Sequence, residues 1–208
     1  MTNDECCRGV CAKRLRDGLG ARRSERGYNA FTLIELIVVV GVIIILTGLV
    51  LSTVGYARKK GARARAETEI AAMSAACESY KADNGIYPRD ATTTDALDAR
   101  AAINMSTYQT ASQYLYGQLA GDPDFDGVPN SNSKSYMQFK PNMLGIDNTN
   151  KVYPRDPFGN SYGYSTIQAA TQDTTKGYNP TFDLWSTAGL TANPPNPDTV
   201  TPQWIKNW

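Results

Sequence analysis

The stretch that decides the fold is FTLIELIVVVGVIIILTGLVLSTVGYA, residues 31–57. From Leu36 to Ala57 it contains no charged residue. As an α-helix, a run of this length extends about 33 Å at about 1.5 Å per residue, enough to cross a hydrocarbon core of about 30 Å. The run is too long for one strand, and longer than the roughly 7–15 apolar residues of a cleaved secretory signal. It therefore predicts a membrane-spanning helix over about 36–57.

A second helical pattern follows the uncharged run. Apolar side chains recur at steps of four, three, four and three residues, namely Ala66, Ile70, Met73, Cys77 and Tyr80. This spacing places them on one face of an amphipathic helix. Asn84-Gly85 followed by Pro88 is a stop signal for such a helix. We therefore predict one long helix over residues 31–84, whose second half needs a partner domain.

Residues 85–208 are predicted to form that partner domain, a globular head. Ala91–Ala102 and Thr107–Ala120 have helical patterns in part. Four short segments rich in aromatic and β-branched residues are strand candidates: Tyr136–Phe139, Lys151–Tyr153, Ser161–Ile167 and Thr181–Ser186. Asp156-Pro157-Phe158-Gly159 has the residues of a type I turn and predicts a hairpin. The predicted fold class is α+β, a long N-terminal helix with a membrane-spanning half and an amphipathic half, packed on a small antiparallel β-sheet.

Composition and charge exclude several function classes. The chain has 208 residues, 21 basic and 20 acidic, and no histidine. It therefore offers no imidazole for Ser-His-Asp or Cys-His catalysis or for metal binding. A net charge of +1 provides no global basic field, so we expect no nucleic-acid partner. No set of residues in the sequence has the types and spacing of a known catalytic site, and we do not expect the protein to be an enzyme.

Residues 1–30 differ from the rest of the chain and are interpreted as a basic leader peptide. They contain seven basic and four acidic residues, a net charge of +3. Three of the four cysteines, Cys6, Cys7 and Cys11, lie there, and their spacing matches no usual zinc site. Basic residues flank the apolar run on both sides, so the positive-inside count alone does not settle the topology.

Glu35 is the one carboxylate next to the apolar run, and two interpretations stay open for it. It could lie near the headgroups and simply snorkel to water. Alternatively it neutralises a partner cation within an assembly, and an α-amino group freed by cleavage just before Phe31 would be such a cation. Gly41, Gly48 and Gly55 recur every seven residues, and we favour a role for them in helix packing or flexibility over chance. The basic run Arg58–Arg65 could contact anionic lipid headgroups or acidic groups of neighbouring subunits.

The junction from Ala30 to Val40, AFTLIELIVVV, resembles the class III leader junction of type IV pilins and type II secretion pseudopilins. The resemblance implies that a prepilin peptidase cuts between Ala30 and Phe31, that Phe31 is then N-methylated, and that Glu35 guides assembly. It also implies a cytoplasmic leader and an exported head. The family strongly prefers glycine before the cut, whereas this chain has Ala30; the residue is still small, so we expect cleavage.

Short patches of the head are similar to the major pseudopilins of type II secretion. They are YKADNGIYP (80–88), DPFGN (156–160) with Tyr162 and Tyr164, FDLWS (182–186) with Gly189, and the closing Asn207-Trp208. Together with the leader junction they cover roughly half of the chain, and residues 90–135 match no pattern of the family. The usual pilin C-terminal disulfide cannot form, because only Cys77 lies beyond the leader. This favours a pseudopilin over a true pilin.

The segment GDPDFDGVPN, residues 121–130, is a candidate calcium loop. Asp122, Asp124 and Asp126 alternate and a glycine follows, the rhythm with which extracellular modules hold Ca²⁺ through oxygen ligands. Asn130 would be a further ligand, whereas the twelfth position of such a loop, which should be glutamate, is Ser133. The alternative is a solvated acidic loop, which we favour slightly. The family's own calcium loop near the C-terminus has no counterpart here.

These observations predict a structural subunit that is cleaved, N-methylated and assembled into a pseudopilus for type II protein secretion. Its expected partners are further copies of itself, minor pilin-like subunits, the prepilin peptidase/methyltransferase and an inner-membrane assembly platform. Before assembly it would be a single-pass inner-membrane protein with a periplasmic C-terminal domain. The alternatives are a type IV pilus subunit and, in another class, a membrane-anchored calcium-binding module that does not polymerise.

Overall fold

A computed structural model describes residues 31–101, 105–190 and 203–208. The fold is α+β, as predicted, with small antiparallel sheets. The helices are α1 (Leu33–Asn84), α2 (Met105–Ala120) and α3 (Ile167–Thr171), and a 3₁₀ turn covers Pro141–Met143. The strands are β1 (Leu144–Ile146), β2 (Val152–Pro154), β3 (Gly163–Ser165), β4 (Asp183–Ser186) and β5 (Ile205–Lys206). The chain divides into two compact units, Met1–Thr47 and Gly48–Trp208, and the division falls within α1.

The five strands form two sheets and not the single sheet expected from the sequence. The first is the antiparallel pair β1–β2, and the second has the order β3–β4–β5 with β4 in the centre. In the second sheet Gly163 of β3 lies opposite Trp185 of β4. Every residue of β4 is buried, which is typical of a central strand that is covered on both faces.

The predicted apolar stripe of α1 forms part of the core of the second unit. Ala66, Ile70, Met73 and Cys77 are all buried, and Tyr80 packs against the same cluster. Their partners come from α2, from β3 and its flanking residue, and from the C-terminal strands: Leu115, Leu119, Tyr162, Tyr164, Phe182, Leu184 and Ile205. Burial of each of these large apolar side chains is worth about 1.5–3 kcal/mol. The amphipathic half of α1 and the head therefore share one hydrophobic core.

A buried carboxylate connects α1 with the residue that precedes β3. Glu69 accepts a hydrogen bond from the hydroxyl of Tyr162 at 2.6 Å and one from Nε of Arg65, also at 2.6 Å. Arg65 also donates to the carbonyl of Asn142 at 3.1 Å. Burial and the neighbouring carboxylate raise the pKa of Tyr162 well above its ordinary value, so the phenol stays a hydrogen-bond donor at neutral pH.

A second cluster lies beside the first and contains two of the three tryptophans. Trp185 and Trp204 stack with their rings 5.8 Å apart and nearly parallel, and Tyr108 of α2 meets Trp185 edge to face at 5.2 Å. The third tryptophan, Trp208, stacks on Tyr178 at 4.7 Å. All three tryptophans therefore report on the packing of the head alone.

Helix α1 ends where the sequence predicts. Asn84 is its last residue, and Gly85 follows with a φ of +78°, in the left-handed region that favours glycine. The amide of Gly85 donates to the carbonyl of Lys81 at 2.8 Å and so closes the last turn. The predicted helix over Thr107–Ala120 is likewise confirmed as α2, which begins at Met105.

The prediction of a helix over Ala91–Ala102 is wrong, because the described part of this segment, up to residue 101, consists of turns. The carboxylate of Asp90 accepts hydrogen bonds from the amides of Thr92 and Thr93 at 3.0 and 2.9 Å and from both of their hydroxyls. Short polar side chains that bind the nearby backbone in this way favour turns over helix. The apolar residues of the segment, Leu97 and Ala99, are nevertheless buried.

Two further expectations about strands need correction. Tyr136–Phe139 is not a strand, although Tyr136, Met137 and Phe139 pack against the core as expected of apolar residues. The turn at Asp156–Gly159 is confirmed, since the amide of Gly159 donates to the carbonyl of Asp156 at 3.0 Å. The strands on its two sides, β2 and β3, belong to different sheets and are joined near the turn by a single bridge between Arg155 and Ser161.

The free energy of unfolding of the head is expected to fall as the pH rises from about 4 to about 6, because of Asp183. Burial raises the pKa of this carboxyl to about 6, although the amides of Tyr178 and Asn179 donate to it. A carboxyl with a raised pKa contributes stability below its unfolded pKa, and that contribution is lost as the pH rises through the folded value. The difference between the ordinary pKa of an aspartate and a pKa of about 6 corresponds to roughly 3 kcal/mol, so we expect the free energy of unfolding to fall by up to roughly that amount.

Urea unfolding of the full chain in detergent, followed by tryptophan fluorescence from pH 3.5 to 7, measures this change. The chain has no histidine, so no imidazole titrates in the window. The Asp183→Asn variant is the control, because it lacks the carboxyl and its stability curve should lose this component. If wild type and variant had parallel curves, Asp183 would not be the group responsible.

Candidate assembly segment and acidic loop

The predicted processing junction lies at the start of the described chain. Phe31 is 80% exposed and precedes α1 by two residues. Ala30 and the rest of the leader lie outside the described residues. Cleavage between Ala30 and Phe31 and methylation of Phe31 therefore remain predictions.

Glu35 caps the start of α1 together with Thr32. Its Oε2 atom accepts hydrogen bonds from the amide of Thr32 at 2.8 Å and from the hydroxyl of Thr32 at 2.7 Å. The Thr32 hydroxyl in turn accepts from the amide of Glu35 at 3.3 Å. This reciprocal arrangement is a capping box, which satisfies amides that the helix itself leaves without a partner. In the single chain Glu35 thus already has a structural role.

This capping role was not predicted from the sequence, although the sequence carries its signal. Thr32-Leu33-Ile34-Glu35 has the spacing of a capping box, a threonine with a glutamate three residues later. Only Oε2 is engaged, and Oε1 has no hydrogen-bond partner among the described residues. A cation from a neighbouring subunit therefore has a free oxygen to approach, and the assembly role of Glu35 remains a prediction.

The apolar half of α1 has the surface expected of a membrane-spanning helix. It is long and apolar enough to cross a bilayer, and none of its most apolar 18-residue window is buried. The large side chains of this half are exposed, for example Ile44 at 67% and Leu51 at 69%. Apolar surface of this extent is stable only against lipid or other helices.

The three heptad-spaced glycines leave open space on this surface. A Cβ atom placed at Gly41, Gly48 or Gly55 would have no neighbour within 4 Å. Nearby, the hydroxyls of Thr47 and Thr53 donate to the carbonyls of Ile43 at 2.7 Å and Val50 at 2.9 Å, so their polar groups are satisfied within the helix. Close approach of a second helix at the glycines remains a prediction.

The acidic loop brings its three aspartates together. One carboxylate oxygen of each of Asp122, Asp124 and Asp126 lies within 4.8 Å of those of the other two. Asp122 is buried, whereas Asp124 and Asp126 are exposed. Asn130 anchors the end of the loop through its backbone, because its amide donates to the carbonyl of Gly121 at 2.8 Å. The three predicted carboxylate ligands thus lie close together, whereas Asn130 takes part in the loop through its backbone amide.

Asp122 already organises this loop without a cation. Its Oδ1 accepts from the amides of Phe125 at 2.8 Å and Asp126 at 3.3 Å. Its Oδ2 accepts from the amide of Gly127 at 2.8 Å and from the hydroxyl of Tyr116 at 3.0 Å. Four hydrogen bonds occupy the lone pairs that a carboxylate offers. The carboxylates best placed for a cation are therefore those of Asp124 and Asp126, and Asp122 fits a metal less well than the sequence suggests.

The basic run after the membrane segment divides into two parts. Arg63 and Arg65 contact parts of the second unit outside α1, since Arg63 donates to the carbonyl of Gln203 at 3.0 Å and Arg65 to that of Asn142 at 3.1 Å. Arg63 also lies 3.5 Å from the carboxylate of Glu67. Lys59 and Lys60 make neither an ion pair nor a hydrogen bond with the described residues.

The fold and this segment define a class: an α+β protein with a long N-terminal helix, whose apolar first half is long enough to cross a membrane and whose second half belongs to the core of the head. Comparison with known proteins specifies the class further. A family model described as type II secretion system (T2SS), protein G, matches residues 53–126. The chain is 28% identical over 142 residues to the type II secretion system core protein G of Vibrio cholerae serotype O1, an alignment that covers 68% of this chain and 73% of the relative. No solved structure matches the chain significantly.

These two findings confirm the resemblance to the major pseudopilin family. The family model begins inside the membrane helix and ends at Asp126, so it includes the apolar stripe and the helix α2. It also includes residues 90–126, where the sequence by itself showed no pattern of the family.

Proposed function

We propose that this chain is a pseudopilin, a structural subunit that assembles with other components of the type II secretion system. The observation that carries the proposal is the match to protein G of that system. The residues that the family model matches run from the end of the apolar half of α1 into the head. The exposed apolar half of α1 supplies a single-pass membrane anchor. The relative is a secretion component and not an enzyme by name, which agrees with a structural role.

The finer steps follow from the leader junction. A prepilin peptidase removes residues 1–30 on the cytoplasmic side and methylates Phe31, and the head then lies in the periplasm. Helices of further copies pack together in a filament, with Glu35 facing the terminal amine of a neighbour. Minor pilin-like subunits and an inner-membrane assembly platform complete the machine, and growth of the filament moves exported proteins outward.

Intact mass of the membrane-extracted protein, with fragmentation of its N-terminal peptide, tests maturation. A chain that begins at N-methylated Phe31 is expected. An uncut chain, in cells whose other prepilins are processed, would contradict the proposal and leave a membrane-anchored module that does not polymerise.

Deletion of the gene, with plasmid complementation, tests the secretion role. Loss of protein export that complementation restores is the expected result. Intact export with loss of surface fibres would instead identify a type IV pilin.

Calcium binding at the acidic loop is the second candidate property, supported by the gathered carboxylates. Calorimetric titration of the full chain tests it, and a loop that holds Ca²⁺ in the manner of extracellular modules would bind one ion with a Kd of roughly 10⁻⁴–10⁻³ M. The Asp124→Asn/Asp126→Asn variant should lose this binding and keep its fold, because its changes are exposed. Asp122→Asn should instead destabilise the loop with or without calcium, because its hydrogen bonds are structural.

If no heat of binding appeared at Ca²⁺ concentrations up to about ten times the upper end of that Kd range, the calcium prediction would be wrong. The loop would then be a solvated acidic loop held together by Asp122. Neither result affects the proposed structural role.

A further inference from the structure

A groove of about 780 Å³ lies where the uncharged run of α1 ends. On α1 it is lined by Tyr56, Lys59, Lys60 and Arg63. Their spacing of three, one and three residues places them on one face of the helix. The facing wall comes from the turn after β2 and the segment after β4, with Phe158 and Leu190 as its large apolar side chains. All of these residues belong to the second compact unit.

The groove combines cations with apolar walls. No aspartate or glutamate is among its described lining residues, so three basic groups face it without an acidic neighbour in the lining. Arg63 is held in place by Gln203 and Glu67, whereas Lys59 and Lys60 have no partner among the described residues. Phe158 and Leu190 are only half-buried, and their apolar surface remains available.

An occupant of this groove should be both anionic and apolar. A free phosphate would satisfy the cations but gain nothing from the apolar wall. A protein segment whose side chains are mainly acidic would leave much of that wall uncovered. A phospholipid carries both parts, and the groove begins at Tyr56, an aromatic residue in the last turn of the membrane-spanning run, where lipid headgroups lie and where tyrosine is enriched.

We propose that this groove binds one anionic phospholipid, with the phosphate at Lys59, Lys60 and Arg63 and the start of the acyl chains against Phe158 and Leu190. The lipid would accompany the subunit at the membrane surface and screen Lys59 and Lys60, which have no partner in the part of the chain that the structure describes. This inference goes beyond the role in secretion and does not depend on filament assembly.

Native mass spectrometry of the full chain, purified in a non-ionic detergent, tests the proposal. Phosphatidylglycerol and phosphatidylcholine are offered at equal concentration, and retained lipids are counted. We expect one phosphatidylglycerol per chain and at least about tenfold weaker retention of phosphatidylcholine, since the two lipids differ in headgroup charge. Lys59→Gln/Lys60→Gln should weaken phosphatidylglycerol binding roughly 30-fold, a factor of about five for each lysine.

The matched control is Lys140→Gln/Lys151→Gln, which removes the same charge from exposed positions outside the groove. It should change phosphatidylglycerol binding less than about twofold. Equal retention of the two lipids, or equal losses in the two double variants, would overturn the proposal. Displacement of the lipid by millimolar inorganic phosphate would show that the groove recognises only the anion, and it would overturn the proposal as well.

A protein partner is the remaining competitor. If Lys59→Gln/Lys60→Gln retained phosphatidylglycerol but lost chemical cross-linking between neighbouring copies in membranes, the groove would be a subunit interface and the proposal wrong. Retained cross-linking together with lost lipid binding is the result that we expect. Far-ultraviolet circular dichroism and tryptophan fluorescence confirm that both double variants are folded.

Discussion

Replacing Glu35 by glutamine is expected to abolish filament assembly while the helix start stays intact. Glutamine serves in a capping box as glutamate does, so the hydrogen bonds from Thr32 at 2.8 and 2.7 Å can be retained. What the variant loses is the negative charge. If the terminal amine of a neighbouring subunit pairs with Glu35, that amine is left without a counter-charge among apolar helices, where an unpaired charge is costly. Sheared filaments, quantified by immunoblot, should fall at least about tenfold.

Thr32→Val separates the cap from the charge. It removes the hydroxyl that donates to Glu35 and accepts from its amide, but keeps the carboxylate. Loss of an N-cap costs about 1 kcal/mol, which a helix of this length tolerates. This variant should therefore assemble at near wild-type levels. If Thr32→Val and Glu35→Gln behaved alike, the effect would come from the helix start, and the pairing with an amine would be wrong.

Gly163→Ala is expected to destabilise the head by about 3 kcal/mol or more, because β3 and β4 leave no space for a methyl group. A Cβ atom at Gly163 would lie 2.1 Å from Cε2 and 2.3 Å from Cζ2 of Trp185. The ring cannot yield, since Trp185 is fully buried between Trp204 and Tyr108. Urea unfolding of the full chain in detergent, followed by tryptophan fluorescence, measures the loss.

Gly61→Ala is the matched control for this substitution. Gly61 lies inside α1, and a Cβ atom there would have no neighbour within 4 Å. Alanine is the better helix former, so stability should stay unchanged or rise by up to about 1 kcal/mol. A loss below about 1 kcal/mol for Gly163→Ala would show that Trp185 can move, contrary to its buried position.

The parts of the fold with a long regular period were predictable from the sequence. The uncharged run, the apolar stripe at Ala66–Tyr80 and the stop at Asn84 specify α1 almost to the residue. The short elements were less predictable, because tertiary contacts decide them. Strands β1 and β5 have three and two residues, too few for an alternating pattern to show. In the segment after Asp90, the hydrogen bonds that the amides and hydroxyls of Thr92 and Thr93 donate to the Asp90 carboxylate outweigh the helical pattern.

The candidate site also contains features that a sequence motif predicts and features that only tertiary contacts decide. Phe31, Glu35 and the three aspartates are predicted from motifs, since each motif is contiguous in the chain. The hydrogen bonds that saturate Asp122 could not be read from the loop itself, because one donor is Tyr116 of α2. The groove was equally hidden, since Phe158 and Leu190 reach α1 only through the packing of the head. The basic run alone left lipid and protein partners equally open.

The shared core of α1 and the head has a mechanical consequence. The stripe from Ala66 to Cys77 and the bond between Glu69 and Tyr162 lie side by side along the helix axis. A force applied along that axis therefore loads all of these contacts in parallel, in shear, and no single contact opens first. Within the second unit, a load applied to residues 66–77 of α1 therefore moves the head together with the helix, with little energy lost to slippage between helix and sheet.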